Sequence, residues 1–198
     1  MSALKVAFEG LPGSGKTTAI ENVVDDLTER GLAVDVVDIE TIGHAPELRQ
    51  ITREYPPGHH ARIMLFWILR LQQYETINAN NTDRDVIIAD RFWGSTLAFD
   101  GYGNRVPKEV LDWVGEGVKI KPDLTLFFDA PLFVVRRRKQ STTLQDPDFA
   151  EKVAEGYQKL ASEYSWINID ASQSIEVVRK EALGHILGRL ATKSEATS

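Results

Sequence analysis

The 198-residue chain has no cysteine, which excludes a disulfide framework and any thiolate-held metal and fits a reducing compartment. It also lacks an apolar run approaching the ~20 residues that a helical membrane span needs. Positive charge is scarce: 23 Lys and Arg stand against 29 Asp and Glu, for a net charge of −6. Proteins that grip a nucleic-acid backbone usually carry a basic excess or stripe. Here the only dense basic cluster is Arg136-Arg137-Arg138-Lys139. Neither polymeric nucleic acid nor a membrane is an expected partner. Met1 to Lys5 runs directly into a strand-like segment, with no room for a signal peptide. The expected location is the cytoplasm.

The chain does have what a soluble single domain needs. Hydrophobic residues make up 42% and charged residues 26%, which suits a globular fold able to bury its own core. Short apolar runs at 4–8, 33–37, 86–89, 124–128 and 166–169 alternate with longer helical patterns. The runs show no polar alternation, as expected when both faces of a parallel sheet are covered. The pattern predicts an α/β fold: one domain over residues 1–190, with a five-stranded parallel sheet flanked by helices. Residues 191–198 read as a polar, frayed tail. Residues 17–30 read as a helix closed by Gly31. Residues 60–80 place Ile63, Phe66, Trp67, Arg70, Tyr74 and Ile77 on one helical face, while Met64, Leu65, Ile68 and Leu71 widen the apolar surface. That helix is expected to be covered on two sides, by a second subunit or by the core.

Gly10-Leu11-Pro12-Gly13-Ser14-Gly15-Lys16-Thr17 is a full match to the phosphate-loop pattern, with Thr18 following. Glycines let successive backbone N–H groups curl around one anion, and the next helix adds its positive N-terminal end. In this pattern Lys16 reaches the β- and γ-phosphates of ATP and the Thr17 hydroxyl ligates Mg²⁺. The motif follows a strand-like run and opens a helix, which is its proper context. A P-loop NTPase fold is therefore expected, although the loop alone does not separate a kinase from other nucleotide hydrolases.

Asp90 and Arg91 end the third strand-like run, and ligands of open α/β sheets bind beyond the carboxyl ends of strands. Asp90 can join a metal shell or accept a proton, and Arg91 can fork onto a phosphate. A solvated Asp–Arg pair is the plainer alternative. Arg70, inside an apolar stripe, either finds a partner or snorkels to solvent. With Phe66 one turn earlier, the pair can instead stack on a ring and bond its edge. Glu9 reads as structural. His59-His60 read as a solvated helix start, and Trp93, Trp113 and Trp166 as packing residues.

Taken together, Glu9-Gly10 through Thr18, Phe66-x-x-x-Arg70, Asp90-Arg91-Phe92-x-x-Ser95-x-x-Ala98-Phe99, Pro122-Asp123-Leu124 and Ile169 through Glu176 resemble the thymidylate kinase family over nearly the whole chain. The resemblance implies ATP- and Mg²⁺-dependent phosphoryl transfer to a pyrimidine deoxynucleotide, dTMP above all, by a homodimer. It implies that Phe66 stacks on the base, Arg70 bonds its edge and Arg91 holds the acceptor phosphate. Ser95, Thr96 and Phe99 fall in the acceptor site, and Ala171-Ser172-Gln173 in the loop near adenine. Residues 137–148 match a short lid, with Arg136, Arg137 and Arg138 as its arginines. Because the loop has no arginine of its own, transition-state charge would call on Arg137 or Arg138.

Three departures stand out. Pro12 occupies a position that is acidic in the family, Ile39 replaces an arginine while Glu40 is kept, and the lid is short. These leave two alternatives. One is a deoxynucleoside or small-alcohol kinase in which Glu40 or Asp38 is the general base. The other is a P-loop nucleotide-binding regulator.

Overall fold

The computed structural model of the chain describes residues 2–117, 121–139 and 141–195. In chain order the elements are β1 (Leu4–Glu9), α1 (Lys16–Glu29), β2 (Val34–Asp38), α2 (Ala45–Thr52), α3 (His60–Ala79), β3 (Val86–Asp90) and α4 (Trp93–Thr96). A π-helical segment, Leu97–Gly103, continues α4. Then follow α5 (Lys108–Gly117), β4 (Leu124–Asp129), α6 (Leu132–Arg138), a single 3₁₀ turn at Thr142–Leu144, α7 (Pro147–Glu163), β5 (Ile167–Asp170) and α8 (Ile175–Glu195).

The strands form one parallel sheet in the order β2-β3-β1-β4-β5. Their apolar runs are continuous because both faces are covered. Leu4, Val6 and Phe8 of β1 pack with Val23 and Leu27 of α1 and Ile186 of α8 on one side. Ala3 and Ala7 meet Ile77 of α3 and Phe92 on the other. Phe127 and Val135 pack with Val153, Tyr157 and Leu160 of α7. Phe8, fully buried and stacked on Phe128 at 5.1 Å, contributes about 1.5–3 kcal/mol by burial alone. The register sets Phe8 beside Asp90 and Asp38 beside Asp90. The carboxyl ends of the three neighbouring strands therefore line one edge, and the loops leaving that edge build the cleft.

The expected helix ends hold to within a residue: α1 runs from Lys16 to Glu29, and Gly31 follows at φ 79°. Other expectations need correction. The stretch read as a frayed tail continues α8 through Glu195, because Lys193 donates to the Ala3 carbonyl at 2.9 Å and to Asp123 at 2.8 Å. Ala196 to Ser198 lie outside the described residues. Of the lid read over 137–148, Gln140 also lies outside them, and the rest comprises the end of α6, the 3₁₀ turn and the start of α7. Trp113, read as a packing residue, is 75% exposed on α5. On α3, Met64, Ile68 and Leu71 stay on the surface of the single chain, so the core covers only one of the two apolar sides. Among the described residues no helix is long and apolar enough to cross a membrane.

Candidate active site

A cleft of about 1020 Å³ opens along the carboxyl edge of the sheet. One end of it is the loop between β1 and α1. Gly13 adopts φ 86°, and a Cβ there would lie 2.8 Å from the Val135 carbonyl oxygen, so only glycine lets α6 approach this closely. Lys16 is buried and folds back over the loop. Its Nζ donates to the carbonyls of Gly10 at 3.0 Å and Leu11 at 2.9 Å, and to Ser14 Oγ at 3.2 Å. Burial lowers its pKa well below that of a free lysine, and the nearby Arg91 charge adds to the effect. An anion seated in the loop acts in the opposite direction. Thr17 and Thr18 are exposed at the first turn of α1 and face the same space.

The other end is built on Arg91, whose backbone sits at φ 63°, a left-handed conformation uncommon for a non-glycine residue. Its main chain is pinned from both sides. The amide donates to the Phe8 carbonyl at 3.0 Å, and the carbonyl accepts from Arg70 Nη1 at 2.8 Å and Gln73 Nε2 at 2.9 Å. Arg70 therefore neither snorkels nor meets a carboxylate directly. It is 4% exposed, bonded to Gln73 and to the Arg91 carbonyl, and it still borders the cleft.

Glu9 shows why this end is rigid. The carboxylate is buried at the end of β1, where Oε1 accepts from the Phe92 and Ser95 amides at 2.9 and 3.1 Å, and Oε2 accepts from Ser95 Oγ at 2.6 Å. It thus caps α4 from a neighbouring strand. Burial raises its pKa, and the charges of Arg70 and Arg91 with the Ser95 bond act against that rise. Because a carboxylate only accepts, Ser95 donates to Glu9. Tyr157 must then donate to Ser95, 2.7 Å away, and Arg91 Nη1 donates to the Tyr157 oxygen at 3.2 Å. Arg91 Nη1 also reaches the Gly10 carbonyl at 2.6 Å, joining the two ends of the cleft. The structural reading of Glu9 fits this arrangement.

Phe66, Ser95, Thr96 and Phe99 gather around this end with Arg70, Asp90 and Arg91. Sequence reasoning missed several neighbours. Arg49 on α2 stands over the Phe66 ring at 5.0 Å and pairs with Glu40 at 2.9 Å. Arg62 approaches the same ring at 5.9 Å. Asp100 and Asn104 also line the cleft. None of these falls at a motif spacing, so the sequence gives no signal for them. Ile39 is buried with Ala45 and Leu69 rather than reaching solvent. Asp38 is raised in pKa by burial, and the charges of Asp90 and Glu40 add to this while the Glu40 amide opposes it.

At the nucleotide end only one of the three α6 arginines reaches the cleft. Arg138 Nη1 donates to the Ala171 carbonyl at 2.7 Å and lies 3.5 Å from the Ser14 carbonyl. Arg136 and Arg137 are exposed and lie apart from the cleft, since successive helical positions diverge by about 100°. Ala171 and Gln173 border the cleft, whereas Ser172 is exposed and bonds back onto its own loop, its hydroxyl and amide both donating to Asp170 Oδ1.

A sequence model of the thymidylate kinase family matches residues 8–182. Curated relatives agree. A thymidylate kinase of Exiguobacterium sp. is 31% identical over 96% of this chain and 97% of its own length. One from Synechococcus sp. strain CC9605 is 30% identical over 90% and 94%. One from Nitrosomonas eutropha is 32% identical over 88% and 87%. The matched span begins at Phe8, just before the phosphate loop, and ends within α8, so it takes in the cleft from Gly10 to Gln173. The chain belongs to the thymidylate kinase family.

Proposed function

We propose that the protein transfers the γ-phosphoryl group of ATP to a pyrimidine deoxynucleoside monophosphate, dTMP, giving dTDP and ADP. The observation that carries this reading is the single cleft in which a phosphate loop and an arginine-lined acceptor end are joined through Arg91 and Gly10. The loop amides and Lys16 hold the ATP phosphates, with Thr18 and Gln173 alongside. Lys16 exchanges its bonds to the loop carbonyls for phosphate oxygens. A phosphate oxygen of the acceptor attacks the γ-phosphorus, and the bond to the β–γ bridging oxygen breaks to release ADP. Catalysis here is alignment plus charge stabilisation. Arg91 orients the attacking phosphate, and Arg138 is the α6 arginine placed to approach the transferred group.

The donor set suits Mg²⁺: the Thr17 hydroxyl and the Asp90 carboxylate are hard oxygen ligands on the cleft wall. Mg²⁺ commonly takes one or two protein oxygens and completes its shell with phosphates and water. Bound there, it neutralises charge on the β- and γ-oxygens.

Arg49 favours a phosphorylated acceptor. It places a second guanidinium at the acceptor end and holds Glu40, which otherwise would be the candidate base for a nucleoside hydroxyl. Phe66 supplies a face for the base, with Thr96 and Phe99 on the sides. The exposed Met64, Ile68 and Leu71 support a homodimer through α3, in a cytoplasmic enzyme. Sedimentation that finds only monomer at micromolar concentration would reject that pairing.

The deciding experiment measures ADP release with Mg²⁺-ATP against dTMP, dUMP, thymidine and deoxycytidine. Turnover is expected with dTMP and is expected to disappear in Lys16→Ala. Turnover with thymidine and none with dTMP would refute the acceptor assignment. ATP binding without transfer to any of the four would favour a regulator.

A further inference from the structure

The two most exposed large apolar side chains among the described residues are Trp113 on α5, at 75%, and Phe133 on α6, at 74%. Neither serves the chemistry above, and each stands among charges of one sign. On α5, Leu111 and Val114 face the core, which turns Trp113 outward with Val110 beside it. Glu109 lies one turn before Trp113 and Glu116 one turn after, and both are exposed. Lys108, the one cation of this helix, is taken up by Asp112 at 2.7 Å, so the acids around the indole keep their charge for something else. On α6, Val135 is buried and Leu132 and Val134 pack inward, which turns Phe133 out. Arg136 and Arg137 follow three and four positions later on the same face, exposed and without an ion pair among the described residues. They belong to the dense basic cluster of a chain whose net charge is −6.

One patch is thus an indole between carboxylates, and the other is a phenyl ring beside guanidiniums. Arg over Trp is the strongest of the cation–π pairings, and these two residue types carry much of the energy at protein contacts. We propose that α6 of one copy of this chain docks on α5 of another, with Arg136 and Arg137 between Glu109 and Glu116, and Phe133 against Trp113 and Val110. The charges set the register and exclude like surfaces, while the rings supply the energy, because exposed ion pairs alone contribute little. Each chain offers both halves, so the contact is heterologous and joins copies head to tail. It uses neither α3 nor any residue lining the cleft, and therefore stands apart from both the homodimer and the acceptor readings.

The test is a charge exchange read by sedimentation of the full chain at ~0.05 M salt, where surface charges are weakly screened. Wild type is expected to gain mass with concentration. Arg136→Glu with Arg137→Glu, and separately Glu109→Lys with Glu116→Lys, should each weaken that association by more than about tenfold, since like charges then face each other. An equal mixture of the two variants should associate again, because each supplies the surface the other has lost. Both variants stay net negative, as two reversals move the wild-type −6 by four at most, so overall attraction between them does not mimic the pairing. Wild type sedimenting as either variant does, or a mixture that fails to regain the wild-type mass, would overturn the proposal.

A second measurement leaves the charges intact. Trp113→Ala should weaken the association about tenfold or more, and the indole emission of wild type should shift to the blue with concentration, a shift absent in Trp113→Phe. Association unaffected by Trp113→Ala, or the same spectral shift in Trp113→Phe, would also overturn the proposal.

Discussion

Replacing Tyr157 by Phe isolates what holds Arg91 in place. The side chain is fully buried, with its ring stacked on Phe127 at 5.6 Å and edge-on to Phe99, and phenylalanine keeps all of that packing. Only the hydroxyl is lost, and with it two bonds: one from Arg91 Nη1 at 3.2 Å and one to Ser95 at 2.7 Å. Burial raises the pKa of this hydroxyl above that of free tyrosine, so the proton it donates is present throughout the working range. At roughly 1 kcal/mol net for each bond, the substitution costs about 1–2 kcal/mol. For a chain of this size that lowers Tm by about 2–8 °C. Arg91 Nη1 keeps its bond to the Gly10 carbonyl, so the guanidinium is loosened rather than freed. The KM for dTMP is expected to rise about three- to tenfold, a loss of part of one charge-assisted bond. The KM for ATP should stay within about twofold, because the groups that hold its phosphates do not contact Tyr157. Initial-rate kinetics with each substrate varied, together with thermal unfolding, provide the check. A lowered Tm with an unchanged KM for dTMP would refute the chain of donors running from Arg91 to Glu9.

Gly13→Ala should reduce ATP affinity at least tenfold and lower stability by about 1–3 kcal/mol, because a Cβ would press on the Val135 carbonyl and φ would stay positive; nucleotide titration and urea unfolding measure both, and near-wild-type values would contradict the close approach of α6. Asp26 of α1 forms a two-pronged pair with Arg179 of α8 at 2.7 and 2.8 Å, and its pKa is lowered chiefly by those bonds. A depressed folded-state pKa gives stability that is present above the unfolded value near 4 and is lost as pH falls through the folded value. Asp26→Asn should therefore lower the urea midpoint at pH 7 and narrow its difference from wild type below pH 4; a difference constant with pH would discount the pair.

The parts of this protein that were legible in the sequence depend on local rules. Strand runs announce themselves when both sheet faces are buried, and the spacing from Gly10 to Thr17 carries its own geometry. Arg70 was only half legible: periodicity placed it on the buried face of α3, but its partner is a main-chain carbonyl 21 positions away, which no pattern of side chains encodes. The three consecutive arginines of α6 could not be told apart until the helix fixed which one faces Ala171. Arg49 has no motif around it, Asp100 stands one residue past the motif that ends at Phe99, and only the fold brings the two to Phe66 and Trp67. Trp113 misled because aromatic character suggests burial, whereas α5 turns this ring outward.

The bond network around Glu9 also determines where motion can occur. One carboxylate at the tip of the central strand clasps the segment that carries Arg91, and Arg91 in turn grips the start of the phosphate loop. Donor and acceptor floors are thereby welded into one platform. Any shutting of the cleft around two nucleotides must come from the parts that border it outside that platform: Arg49 of α2 on one flank, and Ser141 and Thr143 ahead of α7 on the other.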